Sequence, residues 1–376
     1  MRFLALISTL LLASWINQNL IAQSHLSWKY ARLTAGMDTV GRLSDSAELS
    51  RTLYTIAYGS TDKRFPNQLL KTIDSAKIGQ AVGRILKDTS QWKLQVLAIE
   101  PLAEPYRELR KTVDSISLAG SDSLLQWQTI AHALNEYRII NRLAGQMIVL
   151  VNLPSATLRV LDPAGRVILK CKVIVGSPRT PTPIFAANLT RVITYPYWNV
   201  PRSIAVKEFL PKIKKDPTGF LDDMKMQVIS PQGKLISPEM IDWKSLSAKN
   251  FPFRLRQSTG CDNALGVIKF DLDSPYDVYL HDTNHRELFS KKYRFLSHGC
   301  IRVAEPVKLA NLLMGKEWLS DAFIEARYNN LPSKSYPLPH TVPVVITYML
   351  VEADAGLVYY QDIYKALANK PITFTR

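Results

Sequence analysis

The spacing of apolar residues changes at about residue 146. Over residues 24–145, apolar side chains mostly recur three and four positions apart, which predicts amphipathic helices. The clearest helix runs from near Ser121 to Gly145. Beyond it the pattern becomes that of consecutive strands separated by turns. We therefore predict an α+β chain, with a helical scaffold region followed by a mainly β domain, barrel- or sandwich-like, over residues 146–376.

The β half contains several segments that can be assigned individually. "QMIVLVNLPSATLRVLDPAGRVILKCKVIVG" is typical of successive strands with a turn at "DPAG". Further strands are predicted at "ALGVIKFDL" and "YDVYLHDT", a helix at "EPVKLANLLMG", and a hairpin at "TVPVVITYMLVEADAGLVYY". Between the "DPAG" strands and the strand at "ALGVIKFDL" lie a proline-rich aromatic stretch and then a polar, basic insertion that ends near Lys249.

The first residues form a separate segment. Met1 and Arg2 precede the apolar run "FLALISTLLLASW", and small residues follow it. This layout is typical of a secretory signal peptide, which we assign to residues 1–23. A membrane anchor is the alternative, but the run is short for a bilayer span. We expect an exported protein of the periplasm or cell envelope without a stable transmembrane anchor.

Composition and charge narrow the function classes. Hydrophobic residues make up 47% of the chain and charged residues 21%, which is typical of a globular protein. The formal net charge of +15 favours an anionic partner. No nucleic-acid-binding motif is present, so for an exported protein a cell-wall polymer is the better candidate than a nucleic acid. The three cysteines are too few for a disulfide scaffold, and their odd number leaves at least one thiol free.

Most histidines and one cysteine fit structural roles. His25 lies near the predicted cleavage site, His132 inside the predicted helix and His340 beside a proline before the last strand. Cys171 alternates with aliphatic residues along its strand, which predicts a buried, inert thiol. The histidines His281, His285 and His298 remain, all close in sequence to Cys300.

Cys300 and a nearby histidine could form a nucleophile and its base. A thiol attacks well only as thiolate, and an adjacent imidazole can take its proton. His298 and Cys300 would share a face if "SHGC" were a strand, but a base on another strand reaches the sulfur more freely, so we favour His281. Gly299 permits a tight turn, so its N–H and that of Cys300 could face a developing oxyanion.

Two other interpretations of these residues stay open at this point. Two histidines, Cys300 and Asp282 could supply metal ligands, although no CxxC or HExxH spacing supports a metal site. Cys300 could also be a small buried residue without chemistry.

A family resemblance bears on this choice. His281 followed by fifteen residues and then "SHGCIRV" resembles the signature of the L,D-transpeptidase catalytic domain, the YkuD-type family. "VIVGSPRTPTPIF", "PYWNVPRSI", "NALGVIKF", "PYDVYLHDT" and "LPHTVPVVITY" resemble further blocks of its large periplasmic members. The likeness covers about residues 146–364.

The resemblance implies a role for each matching residue. Cys300 corresponds to the nucleophile, His281 to the general base, and the backbone carbonyl of Asp282 to the group that orients the imidazole. The Gly299 and Cys300 N–H groups correspond to oxyanion donors. Other matching positions would support the site or contact substrate: Ser297, His298, Arg302, Tyr279 and Trp198. Residues 195–249, which include Trp198, would form a capping subdomain.

The resemblance also implies a reaction. Family members take an acyl group from a peptidoglycan tetrapeptide stem through a cysteine thioester and transfer it to an amine of a second stem, giving a 3→3 crosslink. No metal or other cofactor is implied, and a carbapenem would acylate the cysteine. Water as acceptor would make the protein an L,D-carboxypeptidase or endopeptidase, and a protein amine would make it an anchoring enzyme. A non-catalytic wall-binding protein is a further alternative.

Two features fit the family pattern less closely. Cys261 stands where related sequences often have proline. The helical region at residues 24–145 contains no recognisable peptidoglycan-binding repeat. Neither feature changes the assignment of the β half.

Overall fold

The computed structural model describes residues 45–59, 74–115, 124–260, 262–326 and 331–367. The predicted signal peptide at residues 1–23 and Cys261 lie outside these ranges. None of the helices within them is long and apolar enough to cross a membrane. The chain divides into two compact units, one formed by residues 1–148, 161–168 and 347–376 and the other by residues 149–160 and 169–346.

The first unit is mainly helical. Its α-helices are α1 (Ser46–Tyr58), α2 (Ser75–Lys87), α3 (Trp92–Ile99), α4 (Glu104–Ser115) and α5 (Leu124–Ile140), and 3₁₀ turns lie at Thr89–Gln91 and Asn141–Leu143. Asp45 and Asp74 cap the first two helices, because each carboxylate accepts a backbone N–H of the first turn, at 2.8 and 2.9 Å. The helical character predicted for this region is therefore confirmed over its described residues.

The apolar stripes of the first three helices face one another. Their buried side chains form one cluster made of Leu49, Leu53, Ile56, Ala57, Ile78, Ala81, Val82, Ile85, Val96 and Ile99. The same unit contains the hairpin of β14 (Val351–Ala353) and β15 (Leu357–Tyr359), and β14 contacts α4 and α5. His132 lies in α5 and donates to the Tyr348 carbonyl at 3.2 Å, which fits its predicted structural role.

The second unit is built on a large sheet. Its strands are β1 (Ile148–Asn152), β2 (Thr157–Leu161), β3 (Val167–Gly176), β4 (Ala186–Thr194), β9 (Ile268–Asp273), β10 (Leu280–His281), β11 (Phe295–Ser297), β12 (Ile301–Val303) and β13 (Lys334–Thr347). They follow the order β11-β3-β12-β10-β9-β4-β13-β1-β2. Because β2 also pairs with β3, the order closes on itself. The α+β prediction is confirmed.

Local patterns of the β half appear in the structure as predicted. The "DPAG" turn joins β2 to β3, with the Gly165 N–H donating to the Asp162 carbonyl at 2.8 Å. The helix α9 (Pro306–Met314) ends at Gly315 in the left-handed conformation, and a short helix α10 (Ala322–Glu325) follows. Cys171 is buried in β3, and burial raises the pKa of its thiol to about 12, so it is inert core as predicted.

A smaller subdomain is inserted between β4 and β9. Its sheet has the order β5-β8-β6-β7, with strands β5 (Trp198–Asn199), β6 (Met226–Ile229), β7 (Leu235–Ile236) and β8 (Arg254–Gln257). Its helices are α6 (Arg202–Ile204), a π-helical turn (Ala205–Phe209), α7 (Leu210–Ile213) and α8 (Pro217–Asp223), with 3₁₀ turns at Pro238–Met240 and Trp243–Ser245. We call this insertion, residues 195–257, the cap; it extends through β8, past the end predicted at residue 249.

The cap has a hydrophobic core of its own. The core is formed by Val200, Ile204, Ala205, Phe209, Leu210, Ile213, Leu221, Met226, Val228, Trp243, Leu246, Phe251 and Leu255. Aromatic rings add edge contacts, for example between Trp198 and Phe209 at 6.0 Å. Pro211 lacks a backbone N–H, which fits the irregular helical geometry just before it.

A buried carboxylate holds the segment that leads into β9. One oxygen of Asp282 accepts the Val267 N–H at 3.1 Å, and the other accepts Arg286 at 2.5 Å. Gly266 lies against this carboxylate with φ +61°, so a side chain there would collide with Asp282 and strain the backbone. The sequence at this point therefore requires both glycine and aspartate.

The collision at Gly266 predicts a specific loss of stability. We expect Gly266→Ala to lower the free energy of unfolding by about 3 kcal/mol, because a left-handed alanine costs about 1 kcal/mol and displacing a buried hydrogen-bonded carboxylate costs about 2 kcal/mol more. Gly233→Ala is the matched control, since Gly233 has φ +82° and open space around its Cβ position; we expect it to lose only about 1 kcal/mol. Urea denaturation measures both, and equal losses would contradict the close packing on Asp282.

Candidate active site

The strand β10 lies between β9 and β12, and its register brings the predicted site residues together. His281 is opposite Lys269 of β9 and opposite Arg302 of β12. Tyr279 shares the face of His281, because side chains two positions apart on a strand point the same way. Cys300 directly precedes β12, and its thiol contacts Tyr279. The sheet therefore presents the thiol, the imidazole, the phenol and the guanidinium on one face.

The chain reverses direction immediately before Cys300. The strand β11 runs parallel to β3, whereas β12 runs antiparallel to it, and the reversal between them occurs at Gly299 with φ +116°. The expectation that His298 and Cys300 share a face of one strand is wrong, because this segment is a turn.

Hydroxyl groups hold the turn in place. Ser297 is buried, and its hydroxyl donates to the Cys300 carbonyl at 2.6 Å and accepts the Gly299 N–H at 3.1 Å. Thr182 donates to the Gly299 carbonyl at 2.8 Å from the loop after β3. Ser297 thus lies where a supporting residue was predicted, and Thr182 is an additional support that the sequence did not indicate.

The predicted pair of oxyanion donors is not available in this conformation. The Gly299 N–H is already used by the Ser297 hydroxyl, so it does not face a substrate carbonyl. The Cys300 N–H, in contrast, has no hydrogen-bond partner among the residues that the structure describes. The role of Gly299 here is conformational: it allows the positive φ that turns the chain toward Cys300.

The Cys300 thiol is half-buried among polar groups. Its sulfur lies 3.7 Å from the Asp277 carbonyl, to which the thiol donates. Burial raises the pKa of the Cys300 thiol, and contacts with Tyr279 and the charge of Lys269 offset only part of this increase. At neutral pH the sulfur is therefore mainly a protonated thiol.

His281 is a buried, neutral imidazole. It is 4% exposed, and its Nδ1–H donates to the Asp282 carbonyl at 2.5 Å. This hydrogen bond fixes the tautomer and leaves Nε2 as a proton acceptor. Burial, assisted by the positive charge of Arg302, lowers the pKa of His281 to about 3. The imidazole is therefore unprotonated across the neutral range.

Asp282 contributes its side chain as well as its carbonyl. The carboxylate is fully buried and accepts hydrogen bonds from Val267 and Arg286. Burial raises the pKa of Asp282, against the effect of these donors. Arg286 also donates to the Ala304 carbonyl at 2.6 Å, which ties the segment after β10 to the segment after β12. Apart from the metal-ligand alternative, sequence reasoning assigned a role only to the carbonyl of Asp282, because the partners of the carboxylate depend on the fold.

Tyr279 connects several groups of the site. Its ring centroid lies 5.6 Å from that of His281 and 4.3 Å from the Lys269 ammonium nitrogen. Its hydroxyl makes polar contacts with the Cys300 sulfur and with the indole of Trp198 in the cap. Burial raises the pKa of Tyr279, so the phenol remains a proton donor. Tyr279 thus lies at the thiol, and Trp198 contacts Tyr279 from the cap.

Arg302 and His298 have different surroundings. Arg302 is partly buried, and its Nε has no hydrogen-bond partner in the part of the chain that the structure describes. Burial lowers the pKa of its guanidinium, which nonetheless remains charged at neutral pH. His298 is half-exposed and pairs with Glu208 of the cap at 2.9 Å. His298 therefore supports a contact between the turn and the cap.

The metal-site alternative concerns His281, His298, Cys300 and Asp282. Among the described residues, no three His, Cys, Asp or Glu side chains are arranged to hold an ion. The Nδ1 atom of His281 is engaged by a carbonyl, and His298 is engaged by Glu208. The arrangement of a thiol, a neutral base and an open backbone N–H instead suits nucleophilic acyl transfer.

Comparisons with known proteins identify the family to which the β half of the chain is similar. The family model of YkuD, the L,D-transpeptidase catalytic domain, matches residues 146–346. A protein of Haemophilus influenzae, whose own assignment as an L,D-transpeptidase is an inference, is 37% identical over 221 residues. That match covers 57% of this chain and 44% of the relative, so the chain spans less than half of the relative's length.

Solved structures of L,D-transpeptidases are also similar, at low identity. The enzyme from Mycobacterium smegmatis is 15% identical with a TM-score of 0.26, and the match covers 54% of this chain and 58% of that one. The enzyme from Enterococcus faecium is 11% identical with a TM-score of 0.22, covering 58% and 62%. The family model, which matches more than half of the chain, establishes that this protein belongs to the L,D-transpeptidase catalytic-domain family.

Proposed function

We propose that this protein is an exported peptidoglycan L,D-transpeptidase that forms 3→3 crosslinks through a thioester on Cys300. The observation that carries the proposal is the register of β10 with β12, which places the half-buried thiol, just before β12, beside the strand that carries a buried imidazole whose Nε2 is left to accept a proton. Both groups lie on one face of adjacent strands, beside a backbone N–H without a partner among the described residues. No metal or other cofactor takes part in the proposed reaction.

The first half-reaction acylates the enzyme. The Cys300 sulfur attacks the carbonyl carbon of the L-centre residue of a tetrapeptide stem while its proton moves to Nε2 of His281. The carbonyl electron pair moves to oxygen, where the Cys300 N–H donates a hydrogen bond. When the tetrahedral intermediate collapses, the C–N bond breaks, and His281 gives its proton to the departing D-alanine amine.

The second half-reaction transfers the acyl group. His281 takes a proton from the side-chain amine of a second stem as that amine attacks the thioester carbonyl. The C–S bond breaks, and the proton returns to the sulfur. We infer that the cap favours this outcome over hydrolysis by limiting competing water, since the Trp198 indole contacts the Tyr279 hydroxyl from the cap.

Arg302 is the proposed substrate-steering group. Peptidoglycan stems carry carboxylates, and a guanidinium with an unfilled donor is suited to bind one. The positive charge of the whole chain, +15, favours approach to an anionic polymer. The proposed export rests on the signal-peptide pattern of residues 1–23.

Product analysis tests the proposed reaction directly. We expect the full-length protein, incubated with purified disaccharide-tetrapeptide muropeptides, to release D-alanine and to form a 3→3-linked dimer identified by tandem mass spectrometry. If only tripeptide monomers form and no dimer, the protein is an L,D-carboxypeptidase instead of a transpeptidase. Absence of released D-alanine would overturn the proposed enzyme activity altogether.

The choice of base is tested by two histidine variants. We expect His281→Gln to lower the rate of D-alanine release by about a hundredfold or more, because removal of a general base costs about 10²–10⁴-fold. His298→Gln is the matched control, and we expect its rate to stay within about threefold of the unmodified protein, since exposed ion pairs contribute little. The reverse order of effects would make His298 the base.

The protonation states predict a pH profile. Because the pKa of the Cys300 thiol is raised and that of His281 is lowered, the resting site is a neutral thiol–imidazole pair. We expect alkylation of Cys300 by iodoacetamide to increase with pH and to reach half of its maximum above about pH 8.5, the usual thiol value. A plateau of full reactivity already at pH 6 would indicate a thiolate–imidazolium pair and contradict this account.

A further inference from the structure

Lys269 of β9 is a charged residue at the catalytic face that the proposed mechanism does not use. The register of β9 with β10 places it opposite His281. Its side chain is 21% exposed, although lysine is usually solvated. A lysine held against the catalytic strand therefore calls for a specific interaction.

Two contacts hold the Lys269 ammonium in place. Its nitrogen lies 4.3 Å from the ring centroid of Tyr279, which is within the range of a cation–π interaction. It also forms an ion pair with Asp271 at 2.6 Å, two positions further along the same strand. Because both contacts are made at once, the charge is fixed over the face of the Tyr279 ring.

The Tyr279 ring links this charge to the reacting sulfur. The phenol hydroxyl makes a polar contact with Cys300, so the same side chain contacts both the ammonium and the thiol. A cation over the ring face draws electron density from the phenol, which strengthens its hydroxyl as a donor to a negatively charged sulfur. The ammonium also favours the anionic sulfur directly through its charge.

We propose that Lys269 is a positioning residue of the active site, whose charge acts through Tyr279 to stabilise the Cys300 thiolate. The inference rests on the proposed role of Cys300 as nucleophile and extends it to a residue on a third strand. At the sulfur the electrostatic effect has this direction, since the charge of Lys269 lowers the pKa of Cys300 against the increase caused by burial; the same charge also lowers the pKa of His281. Asp271 has a secondary role, because it holds the ammonium over the ring.

Lys269→Met and Lys269→Arg separate charge from packing. Methionine keeps much of the aliphatic stem over Tyr279 but removes the charge, whereas arginine keeps the charge. The rate of iodoacetamide alkylation is measured from pH 6 to 10 on the full-length protein. Mass spectrometry of the tryptic peptide from Phe295 to Arg302, which contains Cys300 and no other cysteine, makes the measurement specific to this thiol.

We expect Lys269→Met to move the alkylation profile to higher pH and to lower the rate at pH 7 by about three- to tenfold, as loss of a nearby opposite charge requires. Lys269→Arg is expected to keep the profile, and Lys172→Met, at an exposed lysine of β3, serves as the control for loss of a positive charge elsewhere. A Lys269→Met profile that coincides with that of the unmodified protein would overturn the inference.

The same experiment is independent of the proposed reaction. Alkylation needs no peptidoglycan, so a shifted profile without crosslinking would retain the role of Lys269 and remove the transpeptidase assignment. Crosslinking with an unshifted profile would retain the transpeptidase assignment and remove the role of Lys269. Thermal unfolding of each variant identifies misfolded protein, and a profile shift produced by Lys269→Met and restored by Lys269→Arg is not explained by packing alone.

Discussion

The hydrogen bond from His281 Nδ1 to the Asp282 carbonyl is the constraint on which the proposed catalytic arrangement depends. It determines which imidazole nitrogen carries the proton, and so it determines that Nε2 can accept one. The carbonyl is fixed in turn because the Asp282 carboxylate is buried and held by Val267 and Arg286. One residue therefore orients the base with its main chain and anchors the entrance to β9 with its side chain.

Burial shifts the pKa values of the two groups proposed to react in opposite directions, and both shifts favour the neutral form. Removing charge-stabilising water raises the pKa of the Cys300 thiol and lowers that of the His281 imidazole. The pair is thus stable at rest and becomes charged only when the proton moves during attack. Tyr279 and Lys269 lie where they offset part of the desolvation of the sulfur, and Trp198 brings the cap into the same set of contacts.

Local sequence patterns predicted much of the fold, because helices and turns depend on neighbouring residues. The helix α9 with its terminal glycine, the "DPAG" turn and the buried strand position of Cys171 are examples. Strand register could not be predicted, since it depends on residues far apart in the chain. For that reason the opposition of Lys269 and His281 was not foreseen, and the strand face that was considered for His298 and Cys300 is a turn in the structure. The use of the Gly299 N–H by Ser297 likewise depends on a conformation that spacing alone does not specify.

The central claim is that Cys300 is the nucleophile of a site shaped for acyl transfer. Intact-mass analysis after incubation with a carbapenem tests it most directly. A nucleophilic thiol attacks the β-lactam carbonyl and is acylated, which gives a stable adduct of higher mass. The account predicts one adduct on the unmodified protein and on Cys171→Ala, whose thiol is buried core, and none on Cys300→Ala. An unmodified protein without an adduct, or an adduct that persists in Cys300→Ala, would contradict it.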